Sequence, residues 1–553
     1  MRSTIRAVLL LLAATPLAAQ QPRSDAPRPG IDVLHYDLGI DLPDTGATIN
    51  ARAVLTVMRT ARADSLRLDL IGLHVDSVLV DRRPVRFGRD SANIFIPLPH
   101  GEHDTVHVAV RYGGVATDGL IIRHDSLGRW TAFGDNWPTR ARYWIPSVDS
   151  PDDKATVTWT VTAPANRTVV ANGELVEEAP LPPVAMAAAG STSGVSGSPR
   201  TRTIWREQRP IPTYTMVIAA APLAYYDLGR SACGHSRFPG CVRQAVYVAP
   251  EVVDFLPGPF AQADDIVNYY ASLVGPFPYE KLSHLESSTR FGGMENATAI
   301  FYADRPFRRH TMRAGVIAHE TAHQWFGDAV TEVNFAHLWL SEGFATYFAA
   351  LWMRHAQGDS AFRAEMARTR RQIIASSVTA ERPVIDTAQT NYLKLLNTNS
   401  YQKGGWVLHM LRGLVGDSAF FHALRGYYNR YHGGNATTDD LRHEMERASG
   451  QSLGWFFSEW LRRPGYAELT TSWRYDTARK RVVVEIAQGT RFAPYRFPLT
   501  VAVRTSTGAV RRVTVRVAAR RSQEVTLPIA LTAKPRGLTF DPDVQLLAAI
   551  TSR

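Results

Sequence analysis

Cysteine is scarce in this chain: two residues among 553, Cys233 and Cys241, both in "SACGHSRFPGCVRQ". This scarcity excludes cysteine-rich zinc modules and disulfide-dense scaffolds. In an oxidising compartment, two cysteines so close together in a loop with glycine and proline predict one small disulfide, with two unpaired thiols as the alternative.

Long apolar runs are also scarce. At the N-terminus, Arg2 and Arg6 precede a short apolar stretch, Val8 to Ala14, and small residues follow at Ala18 and Ala19. This pattern predicts a secretory signal peptide over residues 1–19, with a membrane anchor or a first buried strand as the alternative. Because no later run is apolar enough to span a bilayer, we expect an exported protein, periplasmic or secreted, with no stable membrane insertion.

Clustered charge is the third feature that the sequence lacks. The formal net charge is +11, and the lysines and arginines are dispersed along the chain. Such a distribution is typical of a basic solvated surface, so we predict no nucleic-acid partner. A length of 553 residues exceeds one hydrophobic core and predicts several domains.

The hydrophobic pattern changes twice along the chain. Alternating runs such as "ATINARAVLTVMRT" and "HDTVHVAVRY" predict an N-terminal β domain over residues 25–240, with a Pro/Ala/Gly/Ser-rich surface loop at 179–202. Helical spacing in "TMRAGVIAHETAHQWFGD" and "HLWLSEGFATYFAALWMRHA" predicts a helical domain over 241–463. Runs such as "RVVVEIA" and "PLTVAVRT" then predict a small antiparallel β sandwich over 464–553. The predicted fold class is α+β and multidomain.

Two histidines four residues apart, His319 and His323, stand in "GVIAHETAHQWFGD". On a helix they lie about one turn apart on the same face, so both imidazoles can reach one ion. Two neutral histidines leave room for a third ligand and a water in a tetrahedral catalytic zinc site. The metzincin pattern would require glycine at 326 and histidine at 329; because these positions hold Phe326 and Ala329, that class is excluded.

Glu342 is an isolated acid in the apolar helical stretch "LWLSEGFATYFAAL". A carboxylate in such surroundings is costly unless it binds a cation or pairs with a base. Glu342 is therefore the predicted third zinc ligand, with a salt bridge to an arginine as the alternative. Glu320, directly after His319, is well placed to take a proton from a water at the metal.

Two further stretches remain open on their residues alone. "STRFGGMENATAIFY" contains a glycine pair before Met294, Glu295 and Asn296, and such a pair is usually an ordinary turn. Tyr401 precedes the helical pattern of "YQKGGWVLHML", where a tyrosine is more often structural than catalytic.

Together, "FGGMENATAIF", "VIAHETAHQWFGD", "LWLSEGFATYF" and "SYQKGGWVLHMLR", in this order, resemble the aminopeptidase N family of zinc metallopeptidases, which includes leukotriene hydrolase. Weaker similarity in "YWIPSVDSPDDKATVTW" and "LTFDPDVQLL" extends the resemblance over most of the chain. It implies a thermolysin-like α/β catalytic domain that carries the HExxH helix between the two β domains.

The resemblance implies a role for each residue of the metal motif. One Zn²⁺ per chain would be bound by His319, His323 and Glu342. Glu320 would be the general base, and Tyr401 would donate a hydrogen bond to the oxyanion.

The resemblance also implies a substrate site in the "GGMEN" stretch. Glu295 would hold the free α-ammonium of the substrate by charge-assisted hydrogen bonds, which makes the enzyme an exopeptidase. The backbone from Gly292 through Gly293, Met294 and Asn296 would align the peptide as an added strand.

Two positions depart from the family pattern. The family usually carries glutamine or glutamate five residues before Arg142, as a second anchor for the α-amine; here that position is Trp137, and Asp135 or Asn136 are the candidates to replace it. Ser341 stands before the third ligand, where asparagine is usual.

The predicted function is that of a zinc-dependent aminopeptidase, a hydrolase that removes N-terminal residues from peptides by attack of a metal-activated water on the first peptide bond. A thermolysin-type zinc endopeptidase is the first alternative, and it would not need Glu295. A non-catalytic peptide-binding scaffold of the same fold is the second, and it would not need Glu320. The expected partners are peptides with a free N-terminus, and no oligomeric state is predicted.

Overall fold

The computed structural model describes residues 28–100, 104–182, 198–231 and 242–553. The predicted signal peptide, both cysteines and most of the loop at 179–202 lie outside the described residues, so export and the disulfide remain predictions. Among the helices of the described ranges, none has both the length and the apolar composition needed to cross a membrane.

The N-terminal part consists of strands, as the alternating pattern predicts. In the strand Thr48–Arg59, for example, side chains alternate between buried and exposed positions. The strands are β1 Ile31–Asp41, β2 Thr48–Arg59, β3 Ser65–Asp69, β4 His74–Val80, β5 Arg83–Pro84, β6 Gly88–Arg89, β7 Asn93–Pro97, β8 Thr105–Val115, β9 Leu120–His124, β10 Trp130–Gly134, β11 Lys154–Pro164, β12 Thr168–Ala171, β13 Glu174–Pro180, β14 Arg200–Pro212, β15 Ile218–Ala221 and β16 Ala224–Ser231.

Most of these strands form three sheets. The largest has the order β13-β14-β11-β1-β2-β8-β4-β5, and the smaller ones have the orders β12-β15-β10-β9 and β3-β7-β6. Because β10 ends at Gly134, the residues that follow it leave the sheet toward the helical part of the chain. The segment 135–145, which contains Trp137, therefore begins directly at the end of a strand of the second sheet.

The central part contains the helices. Its strands and helices are β17 Val242–Val248, β18 Lys281–Ser287, β19 Gly293–Met294, β20 Ala299–Ala303, β21 Val330–Glu332, β22 Gly434–Ala436, α1 Ala263–Val274, α2 Asp304–Arg308, α3 Ala314–His323, α4 Trp339–Gln357, α5 Asp359–Ala375, α6 Ser377–Glu381, α7 Gly404–Val415, α8 Asp417–Tyr431, α9 Thr438–Ser449 and α10 Gly454–Leu461. Short 3₁₀ turns at Pro250–Phe255, Phe335–His337 and Tyr392–Leu395 and one π-helical turn at Asn399–Lys403 complete it. Two further 3₁₀ turns, Ala141–Tyr143 and Thr213–Thr215, belong to the N-terminal part.

A five-stranded sheet of order β16-β17-β18-β20-β19 supports the helices. Strands β17, β18 and β20 are parallel, and the two outer strands are antiparallel to their neighbours. Strands β16 and β17, which precede and follow residue 240, pair with each other, and the domain boundary predicted at 240 stays a prediction. The mixed sheet covered by helices confirms the predicted α/β character of this part.

The C-terminal part returns to strands, β23 Ala467–Asp476, β24 Arg481–Gln488, β25 Phe497–Arg504, β26 Val510–Val517, β27 Ser522–Ala530, β28 Gly537–Phe540 and β29 Ala548–Ser552. They form two sheets of orders β27-β24-β23-β29 and β26-β25-β28. One pair differs from the antiparallel prediction: β23 and β29 are parallel, because the chain crosses from one sheet to the other before it returns.

Candidate metal centre

Helix α3 carries the histidine pair, and its surroundings explain its position. Ile317, Ala318 and Ala322 are buried on the side that packs into the core, and the ring of Phe326 stacks on that of Phe344 in α4 at 4.2 Å between centroids. His319, Glu320 and His323 share one side of the helix, as the spacing predicts. The hairpin of α3 and α4 therefore places two histidines opposite the first turn of α4, which contains Glu342.

The three predicted ligands converge. Nε2 of His319 lies 3.3 Å from Oε2 of Glu342, Nε2 of His323 lies 3.4 Å from the same oxygen, and the two Nε2 atoms are 3.2 Å apart. In a tetrahedral zinc site with bonds of about 2.0–2.1 Å, neighbouring ligand atoms are ~3.3–3.4 Å apart. The donor set and its spacing thus fit a zinc ion with one position left for water or substrate.

Hydrogen bonds orient these ligands. Nδ1 of His323 lies 3.1 Å from the carbonyl oxygen of Phe326 and 3.0 Å from Oγ of Ser341. A proton on Nδ1 donates to that carbonyl, which leaves Nε2 unprotonated and free to bind metal. Gly327 has a φ of 124°, and a Cβ there would lie 2.6 Å from Oγ of Ser341. Only glycine therefore allows the turn that brings Ser341 to His323.

Tyr401 lies in the π-helical turn before α7 and points at the same centre. Its hydroxyl donates to Oε1 of Glu342 at 2.7 Å, and its ring stacks on that of His319 at 6.0 Å. A close helix crossing makes this possible, since a Cβ on Gly343 would lie 2.9 Å from Cα of Gly404. The two glycines let α4 and the turn that carries Tyr401 approach backbone to backbone.

Three glutamates concentrate negative charge at the centre. Burial raises the pKa of Glu320 well above its usual range, and Glu295 and Glu342 raise it further, although His323 opposes them. Burial lowers the pKa of His323, but the three glutamates outweigh burial and raise it well above the ordinary value. A site that stabilises positive charge on a buried imidazole is suited to a cation.

Within the "GGMEN" stretch, Gly293 and Met294 form strand β19, at the edge of the five-stranded sheet. Gly293 and Met294 pair with Tyr302 and Phe301 of β20, and no strand of the described residues pairs with the other edge of β19. Edge strands can pair with an added chain. The strand also brings Glu295 to the metal ligands: carboxylate oxygens of Glu295 and Glu320 and a ring nitrogen of His323 lie within 4.8 Å of one another.

The residues that follow β19 anchor this strand to α3. The side chain of Gln324 accepts a hydrogen bond from the backbone N–H of Thr298 at 2.9 Å and donates to the carbonyl oxygen of Glu295 at 3.2 Å. It also donates to Asp328 at 2.8 Å. The sequence analysis missed Gln324, although its position directly after His323 marked it as a polar side chain on the buried helix.

Asp135 and Asn136 were the candidates for a second anchor of the substrate's α-amine, but the structure engages both side chains elsewhere. The carboxylate of Asp135 forms an ion pair with Arg140 at 3.1 Å and accepts a hydrogen bond from Nε of Arg290 at 3.2 Å. Asn136 donates to the carbonyl oxygen of Met216 at 2.6 Å and accepts from the indole of Trp144. Both side chains are buried in structural contacts. Trp137 itself lines the cavity at the metal centre.

A cavity of about 480 Å³ joins these groups. Nine of the ten predicted site residues line it, and the tenth, Asn296, does not. Asn296 is fully buried beside the cavity. The structure thus brings the predicted residues together around one space large enough for the end of a peptide.

Known proteins share these features. The profile of the Peptidase family M1 domain matches residues 261–460, and that of the Peptidase M1 N-terminal domain matches residues 33–185. The chain belongs to the peptidase M1 family, which confirms the predicted resemblance to aminopeptidase N.

Individual relatives are distant. Probable aminopeptidase 1 of Sulfurisphaera tokodaii is 24% identical over 85% of this chain and 58% of its own length. Aminopeptidase N of Streptomyces lividans is 28% identical over 59% of this chain and 37% of its own. The chain spans about half the length of the curated relatives it matches, or less.

Solved structures show the same architecture. The M1 zinc metallopeptidase from Deinococcus radiodurans has a TM-score of 0.67 and 26% identity, with coverage of 79% of this chain and 94% of its own. Aminopeptidase A of Legionella pneumophila, in complex with aspartic acid, covers 96% of this chain and 61% of its own with a TM-score of 0.80, and at 18% identity it supports the fold alone.

Proposed function

We propose that this protein is a zinc-dependent aminopeptidase. The observation that carries the proposal is the position of Glu295, whose carboxylate stands beside Glu320 and His323 at the metal centre. A hydrolase that cuts within a chain has no use for a buried acid there, because an internal peptide bond offers no positive charge to pair with the carboxylate. A free α-ammonium supplies the missing charge.

His319, His323 and Glu342 would hold the zinc ion. When bound, zinc supplies Lewis acidity, which polarises a carbonyl and lowers the pKa of a water. Glu320 takes the proton of the attacking water and passes it to the leaving amine. The hydroxyl of Tyr401 turns from Glu342 to donate to the oxyanion.

The edge of β19 would position the peptide. Gly293 would pair with an extended chain at this edge, whereas the carbonyl of Gly292 already accepts from the N–H of Ala303. A Cβ on Gly293 would collide with the carboxylate of Glu320, so glycine at this position lets the strand lie against the general base. With its ammonium held at Glu295, the first peptide bond of the substrate reaches the centre, so cleavage releases one residue. The cofactor, peptide substrate and exopeptidase action follow from this arrangement.

The test is a matched pair of peptides, Leu-Ala-Phe and its N-acetyl form, with and without a zinc chelator. We expect hydrolysis of the free peptide alone, loss of activity with the chelator and recovery with added zinc. Equal hydrolysis of both peptides would favour the endopeptidase, and no hydrolysis by zinc-replete protein would favour the peptide-binding scaffold.

We also propose that the chain is exported and carries a disulfide between Cys233 and Cys241. The support is the N-terminal pattern of residues 1–19 and the short spacing of the cysteines. Mass spectrometry of protein recovered from the periplasm or the medium tests both. An uncleaved N-terminus, or alkylation of both thiols without prior reduction, would contradict them.

A further inference from the structure

We propose that the pocket for the first residue of the substrate selects large, uncharged apolar side chains, and that Trp137 sets this selectivity. The inference rests on the proposed function, because it takes Glu295 as the site of the α-ammonium. It adds the substrate class, which neither the motifs nor the metal chemistry determines.

The cavity has two distinct ends along α3. Glu295 lies beside His323, near the C-terminal end of the helix. Gly315 and Val316 line the cavity about one turn before His319, toward the N-terminal end, together with Met353. A substrate with its ammonium at Glu295 and its carbonyl at the metal ligands therefore extends its leaving portion toward Gly315. The side chain of the first residue stays at the Glu295 end.

The walls at the Glu295 end are apolar. Phe291 and Met294 line the cavity from the same stretch as Glu295, and Trp137 lines it in contact with Phe291. The rings of Trp137 and Phe291 meet edge to face with centroids 5.9 Å apart, and Trp137 packs in the same way on Phe335 at 5.6 Å. Trp137 and Met294 are each 3% exposed, so they form a packed wall rather than mobile surface side chains. An apolar side chain that enters gains contact with this wall and leaves water.

Charged groups behind this wall are bound to one another. Asp135 pairs with Arg140 and Arg290, and Arg290 also pairs with Asp118 at 2.7 Å. The guanidinium of Arg140 lies over the outer face of Phe291, 5.8 Å from its centroid. Glu365 of α5 also lines the cavity, but its carboxylate is already paired with Arg368. A charged first residue would therefore lose its water without gaining a counter-ion at the wall, which disfavours both acidic and basic side chains.

Trp137 occupies the position where family members usually carry a hydrogen-bonding glutamine or glutamate. An indole offers apolar area in place of a carboxylate or carboxamide acceptor. Glu295 then holds the ammonium without that second acceptor, and contact of the first side chain with Trp137 contributes to binding instead. Large apolar residues make this contact, and alanine does not reach it.

The test measures kcat/KM on p-nitroanilides of Phe, Leu, Ala, Lys and Glu, which differ only in the first residue. We expect the Phe and Leu substrates to exceed the Lys and Glu substrates by at least about tenfold, the range that pocket contacts produce. Trp137→Ala should reduce the Phe-to-Ala ratio by about tenfold. Trp130→Phe, which changes a buried tryptophan outside the cavity, should leave the ratio unchanged.

Trp137→Gln is the second variant. Thermal unfolding curves and measurements of bound zinc show which of the two variants are folded. Trp137→Gln should also lose the preference for Phe. A Phe-to-Ala ratio of kcat/KM equal to that of the wild type, in either folded variant, would overturn the role of Trp137. Lys or Glu substrates cleaved as well as Phe by the wild type would overturn the selectivity itself, and the aminopeptidase proposal would stand.

A binding measurement distinguishes failure of the proposed selectivity from failure of the proposed aminopeptidase function. Calorimetry with Phe-Ala, Lys-Ala and Glu-Ala on Glu320→Gln reports affinity without turnover. Tight binding of Phe-Ala alone, together with no hydrolysis by the zinc-replete wild type, would refute the enzyme and keep the pocket. Equal affinity for the three dipeptides would refute the pocket.

Discussion

Tyr401→Phe removes one hydroxyl and tests whether that hydroxyl acts in catalysis or only in the support of a ligand. The hydroxyl donates to Oε1 of Glu342 at 2.7 Å, and the ring stacks on His319. Phenylalanine keeps the ring and its stacking, so the shape of the site is preserved. The change isolates the two hydrogen bonds that the hydroxyl can make, one to Glu342 and one to the oxyanion.

Loss of each hydrogen bond should have a different effect, one on zinc affinity and the other on kcat. Loss of the bond to Glu342 should weaken zinc affinity by about 10- to 100-fold, as for other partners of metal ligands. Loss of an oxyanion donor should lower kcat by about 100- to 1,000-fold with KM nearly unchanged, because that bond forms only in the transition state. Measurements of kcat at saturating zinc therefore report the second effect alone.

The assay pairs zinc titration with steady-state kinetics on leucine p-nitroanilide. Tyr347→Phe is the matched control, because Tyr347 is 1% exposed, bonds to Arg412 and does not line the cavity. A Tyr401→Phe enzyme with wild-type kcat once zinc is saturating would refute the catalytic role and leave Tyr401 as a support for Glu342.

Three other substitutions test the remaining assignments. Glu320→Gln should lower kcat by at least about 100-fold while one zinc per chain stays bound by mass spectrometry; loss of zinc would show that a ligand is misassigned. Glu295→Ala should reduce kcat/KM for free peptides more than it alters zinc affinity, and the reverse ranking would remove Glu295 from the amine site. Burial raises the pKa of Glu332 to about 8, so the folded protein keeps a proton that the unfolded chain loses above its ordinary pKa of 4.5. The free energy of unfolding should therefore fall by ~1.4 kcal/mol per pH unit between these values. Glu332→Gln should abolish this loss in urea titrations from pH 5 to 8, and the exposed control Glu524→Gln should not; parallel pH profiles for Glu332→Gln and the wild type would contradict the shift.

Local signals predicted the helical elements well. Thr437 and the acids that follow it in "TTDDLRHEMERASG" form a pattern typical of a helix start, and in the structure Thr437 caps α9 in a reciprocal pair with Asp440. The spacing of His319 and His323 placed both on one face of α3. These predictions depend on residues within one or two helical turns, where backbone geometry sets the outcome.

Long-range pairing was beyond the sequence. The parallel pairing of β23 with β29 joins Ala467 to Ala548, far apart in the chain. Gln324 acts on β19 through contacts with Glu295 and Thr298 that no local pattern marks. Such contacts depend on how whole elements pack, so the period of a single segment does not predict them.

The sequence by itself determined the chemistry of the site: two imidazoles one turn apart, a carboxylate in an apolar helix and a glutamate beside a histidine. These follow from side-chain type and helical period. Only the tertiary structure decided which groups meet. Packing of β19, α3, α4 and the π-helical turn brings Glu295, Glu342 and Tyr401 around one centre. The path of the chain after β10 buries Asp135 and Asn136 in structural contacts and places Trp137 at the substrate cavity.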